Sequence, residues 1–197
     1  MPRPLHFQIL FAILCIFTCA PLTAEDQPAP EKKGETIALA DGQLALVAPA
    51  DWVRKKPKSN IIEHEFAQPA AEGETIDGRI TIMGAGGEVQ ANIDRWINQF
   101  QQPDGSATKE KAKVEKKTIA EMEVHVVDIS GTYMDSPAGP FAGGKTVPRE
   151  DYRMLGAIII APKLGNYFIK FYGPAKTVAA GEPGFAKMLE TLKVVGN

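Results

Sequence analysis

Few residue types in this chain can make or break bonds, and their spacing decides what chemistry they could support. Beyond position 24 the only imidazoles are His64 and His125. Both cysteines, Cys15 and Cys19, lie near the start of the chain. A metal centre would therefore need both histidines plus carboxylates, and neither shows the close spacing of a zinc motif. Glu63-His64-Glu65 looks like a ligand cluster until the strand period is applied. Alternation sends both glutamates to one face and leaves His64 with Ile62 and Phe66 on the other, the setting of a half-buried, hydrogen-bonded histidine. His125 stands between Val124 and Val126 and points away from their apolar face. No G-x-S-x-G elbow occurs, and Ser130-Gly131 and Ser136-Pro137 lack its geometry. Carboxylates are plentiful, but no pattern singles out a pair. The expectation is no catalytic residue, no metal ligand and no cofactor. A secreted metal-dependent or hydrolytic enzyme using His64 and His125 is the competing reading, and it requires the two rings to converge.

Two glycine-rich stretches imitate phosphate sites. Gly139 to Thr146 satisfies G-x-x-x-x-G-K-[ST], in which backbone amides, a lysine and a hydroxyl would surround a nucleotide's phosphates and Mg²⁺. That chemistry needs a helix directly after the loop. Here Pro148 lies two residues beyond Thr146 and a strand pattern follows, so a glycine-rich connector is expected and nucleotide binding is not. Gly84-Ala85-Gly86-Gly87 sits between a strand and a helix, but Val89 stands where the dinucleotide pattern needs its last glycine. A tight turn using positive φ is the simpler account. The stretch Met134–Asp151 is longer than most connections, and such loops are commonly functional. It carries Phe141, Lys145 and Arg149 on a Gly/Pro frame between Tyr133 and Tyr152. These five residues are the candidate partner-binding loop.

The elements that must position this loop follow from periodicity. Asp41-Gly42 between alternating runs predicts a two-residue hairpin turn, and Trp52 is expected to anchor the second strand's end to the core. Strands are predicted over 61–66 and 79–83, then a helix over 88–101 with Val89, Ile93, Trp96, Ile97 and Phe100 on one stripe. A polar ramp over 109–117, a strand over 122–129 and an apolar run over 154–161 come next. That run is too short to cross a bilayer and reads as a central strand covered on both faces. Tyr167, Ile169 and Phe171 then alternate with Phe168, Lys170 and Tyr172. A last helix is predicted near 183–194, with Pro183 in its first turn. Strands joined by short turns pair antiparallel, so the expected class is α+β: about six to eight mostly antiparallel strands packed with two main helices.

Residues 1–24 read as a secretory signal: Arg3, then an apolar stretch from Leu5 to Cys19, then Ala24 before Glu25-Asp26. A retained N-terminal anchor is the alternative. Ile16-Phe17-Thr18-Cys19 faintly resembles a lipoprotein box, which would make the protein a structural surface lipoprotein anchored at Cys19. Cleavage after Ala24 would leave no cysteine, hence neither disulfide nor thiolate. Residues 25–35 are charged and Pro-containing and read as a flexible linker, leaving 36–197 as a single domain. The 197 residues are 44% hydrophobic and 23% charged with a net charge of −2, which argues against disorder and lacks the basic footprint of a nucleic-acid binder.

The run into Val47-Ala48-Pro49-Ala50-Asp51-Trp52 and the segment Arg79-Ile80-Thr81-Ile82 feeding Asn92-Ile93 and Trp96 resemble the PsbP-like, Ran-binding Mog-type α/β-sandwich superfamily. The hairpin ending Tyr167-Phe168-Ile169-Lys170-Phe171 and the helix around Phe185 and Leu189 extend that resemblance over most of 36–195. It implies an antiparallel sheet between helices and a non-catalytic binding or assembly-helper role. Its members bind different partners, and no functional residue transfers. The resulting expectation is an exported binding or accessory module of the bacterial envelope, periplasmic or extracellular, whose protein or small-ligand partner is unknown.

Overall fold

The computed structural model describes residues 33–137 and 145–196. The leader at 1–24, most of the linker at 25–35, Cys19 and Phe141 lie outside them. The described residues open with β1 (Glu35–Leu39) and β2 (Leu44–Ala48), the antiparallel hairpin expected around Asp41-Gly42. Its turn is longer than two residues. Leu39 pairs with Leu44, and Ala40, Asp41 and Gly42 all take positive φ, 52°, 52° and 85°. Then come β3 (Val53–Lys55), β4 (His64–Gln68), β5 (Gly78–Ala85), α1 (Val89–Ile97) and β6 (Phe100–Gln101). A single turn α2 (Thr108–Lys111) leads into β7 (Lys113–Ile119), β8 (Met122–Asp135), β9 (Val147–Ala161) and β10 (Gly165–Pro174). The chain closes with α3 (Ala175–Glu190) and β11 (Lys193–Val194).

The class is α+β, and among the described residues every strand pairing is antiparallel. These residues form two sheets. An eight-stranded sheet runs β3-β4-β5-β10-β9-β8-β6 with β7 paired to β8, and a three-stranded sheet runs β1-β2-β11. The large sheet is the middle layer. One face buries Ile80, Ile82, Ile159, Ile169 and Phe171 against α3 (Val178, Phe185, Met188) and the small sheet (Ile37, Leu44, Leu46). The other buries Val127, Ile129, Met154, Ile158 and Phe168 against Ile93, Trp96 and Ile97 of α1. The apolar run at 154–161 is central as expected, between β10 and β8, because both of its phases have a core to fill.

Single residues fix how closely the layers approach. A Cβ on Gly156 would stand 2.5 Å from the Trp96 ring, so the glycine is the seat of the α1 indole. Trp52 anchors as expected: its indole N–H donates to Gln68 Oε1 at 2.9 Å, and its ring lies 6.0 Å from Phe66 and 5.8 Å from Phe171.

Several boundaries differ from the periodic expectation. The first helix stops at Ile97, and Phe100 leaves the stripe to pair with Tyr133 across β6 and β8. The last helix starts at Ala175, eight residues before the expected start, and Pro183 lies inside it. A Cβ on Gly181 would stand 2.8 Å from the Phe171 ring, so the helix lies close on the sheet there, and that packing offsets the poor helix propensity of the segment. The polar ramp becomes α2 and β7, the latter a largely exposed strand held by its ladder with β8.

Candidate functional site

The two histidines do not converge. His64 pairs with Ile82, whose side chain belongs to the α3-side core; His125 pairs with Ile158, which belongs to the α1-side core. They therefore occupy opposite faces, with β5, β10 and β9 between their strands. His64 Nε2 lies 2.9 Å from the Ala38 carbonyl of the small sheet, and Arg54 Nη1 lies 3.3 Å from its Nδ1. His125 Nε2 lies 2.6 Å from Glu123 Oε1. Lys116 first, and His125 second, hold the Glu123 carboxyl below the usual carboxylate range. Each imidazole is thus engaged in a separate local contact, and among the described residues no three His, Cys, Asp or Glu side chains assemble as metal ligands.

The candidate loop is framed differently from its sequence reading. β8 continues to Asp135 and β9 begins at Val147, so the connector shortens to 136–146 and Tyr133, Arg149 and Tyr152 sit on strands. Lys145 and Thr146 lead straight into β9, so a strand follows the imitation nucleotide motif, as expected. Asp135 pairs with Val147 at the connector's base, where Arg149 Nη2 reaches Asp135 Oδ2 at 3.3 Å.

What the strands bring together is a cation among tyrosines, on the α1 face of the sheet. Tyr133 and Tyr152 are parallel at 4° with centroids 6.1 Å apart, and Tyr172 of β10 lies 5.2 Å from Tyr133. Lys170, two residues before Tyr172 and so on its face, places Nζ 5.1 Å from the Tyr133 ring centre and 4.9 Å from that of Tyr172. Ring quadrupoles of this kind attract an ammonium. Its hydrogen-bond acceptors are neutral: Gln99 Oε1 at 2.5 Å and the Tyr133 hydroxyl at 3.5 Å. No carboxylate among the described residues forms an ion pair with Lys170. Burial, helped by the positive charges of Arg95 and Arg79 and opposed by Asp135, pushes the ammonium down to about 7. Burial likewise pushes the phenols of Tyr133 and Tyr152 up.

Arg79 of β5 completes the cluster. Its guanidinium grips Glu65 through two bonds of 2.9 and 3.0 Å and donates to the Tyr172 hydroxyl at 2.8 Å. The Glu65 hydrogen bond is the main cause that raises the arginine's pKa further. Chemically the site offers hydroxyl and cationic donors on an aromatic floor, the features of an anion-recognising surface. Loop reading found Tyr133, Arg149 and Tyr152 but missed Lys170, Tyr172, Arg79 and Gln99, which arrive from other strands. One signal was available: the phase Phe168, Lys170, Tyr172 places a lysine between aromatics on a face that a helix partly covers.

No protein-family model and no curated protein sequence matches the chain. The fold is similar to those of PsbP and Mog1. Cyanobacterial PsbP of Synechocystis is 9% identical, with 89% of this chain and 100% of that one covered and a TM-score of 0.48. The Ran-binding protein Mog1p of Saccharomyces cerevisiae is 10% identical over 83% of this chain and 96% of its own, with a TM-score of 0.47. LpqN of Mycobacterium tuberculosis, involved in cell envelope biogenesis, is 11% identical over 86% and 88%, with a TM-score of 0.46. Among the described residues no helix is long and apolar enough to cross a membrane.

Proposed function

We propose that the chain is an exported, non-catalytic binding or assembly-accessory module of the bacterial envelope, with residues 36–197 as its single domain. Its partner docks on the tyrosine face and on the connector beside it. The observation that carries this reading is the Lys170 ammonium, held by two tyrosine faces and neutral acceptors, with no carboxylate in ion-pair contact among the described residues and Asp135 acting only at longer range. Desolvating a charge without a counter-charge is costly, so such an arrangement is unusual as mere packing. Tyr and Arg are also the residue types that dominate binding hot spots. Tyr133 forms the floor and Tyr152 the rim, Arg149 stands at the connector's base, and Lys145 and Phe141 belong to the connector itself. Export rests on the signal pattern of residues 1–24.

Both parts are testable in cells. Envelope-extracted protein should begin at Glu25; an N terminus at Met1 in a cytosolic pool would overturn export. A photo-crosslinking residue at Tyr152 should capture one envelope protein that the same probe at Lys117, on β7, does not. Replacing residues 137–146 with an Asn-Gly turn should preserve the fold and abolish that capture. Equal capture from both positions would refute a specific docking face.

A further inference from the structure

The register of the large sheet places Lys170 at one end of a row. Lys55 pairs with Glu65, Glu65 with Thr81, and Thr81 with Lys170, so all four lie on the α1 face across β3, β4, β5 and β10. Three strand spacings of about 4.8 Å make the row about 14 Å long. The neighbouring row holds Val53, Ala67, Arg79 and Tyr172. A groove of about 360 Å³ opens at the β3 end, lined by Lys55, Lys56, Lys58 and Arg79 with Glu65 and Asp77. Glu65 is already taken by Arg79, and Asp77 accepts from the Ala70 N–H at 3.1 Å. Lys55, Lys56 and Lys58 are exposed and form no ion pair among the described residues. The local charge is thus positive in a chain whose net charge is −2.

We propose that this track, from Lys55–Lys58 across Arg79 to Lys170, receives an extended acidic segment of a partner protein. The inference rests on the binding reading above and names the chemistry of the partner. About four residues of extended chain span 14 Å, with alternate carboxylates meeting the lysine cluster at one end and Lys170 at the other. The tyrosine hydroxyls and the Arg79 N–H groups not engaged by Glu65 or Tyr172 supply the intervening donors. Recession favours a peptide over a bilayer. The Lys170 ammonium lies between the Tyr133 and Tyr172 rings, where a side-chain carboxylate reaches and a lipid surface resting on the exposed lysines does not. An anion arriving there supplies the direct ion-pair partner that the described residues do not, and the electrostatic part of its affinity falls with salt.

The probe is a fluorescein-labelled hexaglutamate peptide, followed by anisotropy at low salt. Lys170→Met should raise Kd about tenfold or more, equivalent to about 1.4 kcal/mol. A Lys55→Gln/Lys58→Gln double variant should raise Kd by at least about threefold. Tyr172→Phe, which removes one hydroxyl and keeps the ring, should have a smaller effect, and Lys187→Gln on α3 none. Urea unfolding of each variant separates lost affinity from lost fold. Absent binding, or binding that Lys170→Met leaves unchanged, overturns the assignment. So does capture by phosphatidylglycerol vesicles that needs Lys55 and Lys58 but not Lys170, which would assign the lysines to a membrane surface. If hexaglutamate fails while the Tyr152 cross-link persists, only the acidic-segment assignment falls; if both fail, the binding reading falls with it.

Discussion

Replacing Lys170 by Met should make the isolated protein more stable near neutral pH, and the gain should vanish as pH rises. The ammonium's pKa is pushed from its ordinary 10.5 down to about 7 by burial first, and by Arg95 and Arg79 second. The groups facing it are Tyr133 and Asp135 from β8, Tyr172 from its own strand, Arg79 from β5, Arg95 from α1 and Gln99 beyond α1. Below about pH 7 both folded and unfolded chains carry the proton, and the folded state bears the full cost of the buried charge. Between about 7 and 10.5 only the unfolded chain keeps it, so wild-type stability climbs with pH by up to about 1.4 kcal/mol per unit. The ceiling over the whole shift is about 5 kcal/mol. Access of solvent to the half-buried amine and attraction to two tyrosine faces, about 0.5 to 1 kcal/mol each, bring the expected rise by about pH 9.5 to about 1 to 3 kcal/mol. Urea unfolding from about pH 6 to about pH 9.5, below tyrosine ionisation, measures it. The wild-type curve should rise toward that of Lys170→Met across this range. Parallel curves would show that the ammonium is well solvated or paired in solution, and would remove the reasoning for an uncompensated cation.

Other expectations follow from the packing. Gly156→Ala drives a methyl into the Trp96 ring at 2.5 Å and should cost about 2 kcal/mol or more in urea, with a shift in indole emission; a loss under about 0.5 kcal/mol would mean α1 moves freely on the sheet. Trp52→Phe leaves Gln68 Oε1 without its buried donor and should cost about 1 to 3 kcal/mol. Arg153 grips Asp128 through two bonds, 2.8 and 2.9 Å, and reaches Glu182 of α3 at 2.8 Å. Asp128 is 24% exposed and Glu182 48%. Asp128→Asn should therefore cost about 1 to 2 kcal/mol and Glu182→Gln under about 1. Equal losses would place the strength of this pair elsewhere.

The fold was legible where one face of an element carries its apolar residues. The 154–161 run, the Trp96 stripe and the alternation at 167–172 were readable because burial writes itself into the period. Three things were not. Gly181, Pro183 and Gly184 hid the first half of α3, whose glycines are fitted to neighbours distant in sequence, Gly181 to Phe171 and Gly184 to Pro49. The exposed strands β3 and β7 carry no apolar phase, so only their partners define them. The hairpin's departure into a separate sheet with β11 is a tertiary choice that neither segment encodes alone. The same holds for the site. Tyr133, Arg149 and Tyr152 could be found beside a long connector, but Lys170, Arg79 and Gln99 join them only through register. His64 and His125 illustrate the reverse, since two conspicuous residues turned out to share neither face nor neighbour.

The large sheet divides the molecule into two compartments of unequal character. Beneath it, α3 and the small sheet close an apolar box that holds most of the largest buried side chains. Above it, α1 roofs only part of the surface and leaves the Lys55–Arg79 quarter as an open deck, with Lys170 recessed at its edge. Substitutions on the deck lie a full strand thickness from the box, and distant changes add nearly independently. Residues of the deck can therefore change without rebuilding the keel beneath it.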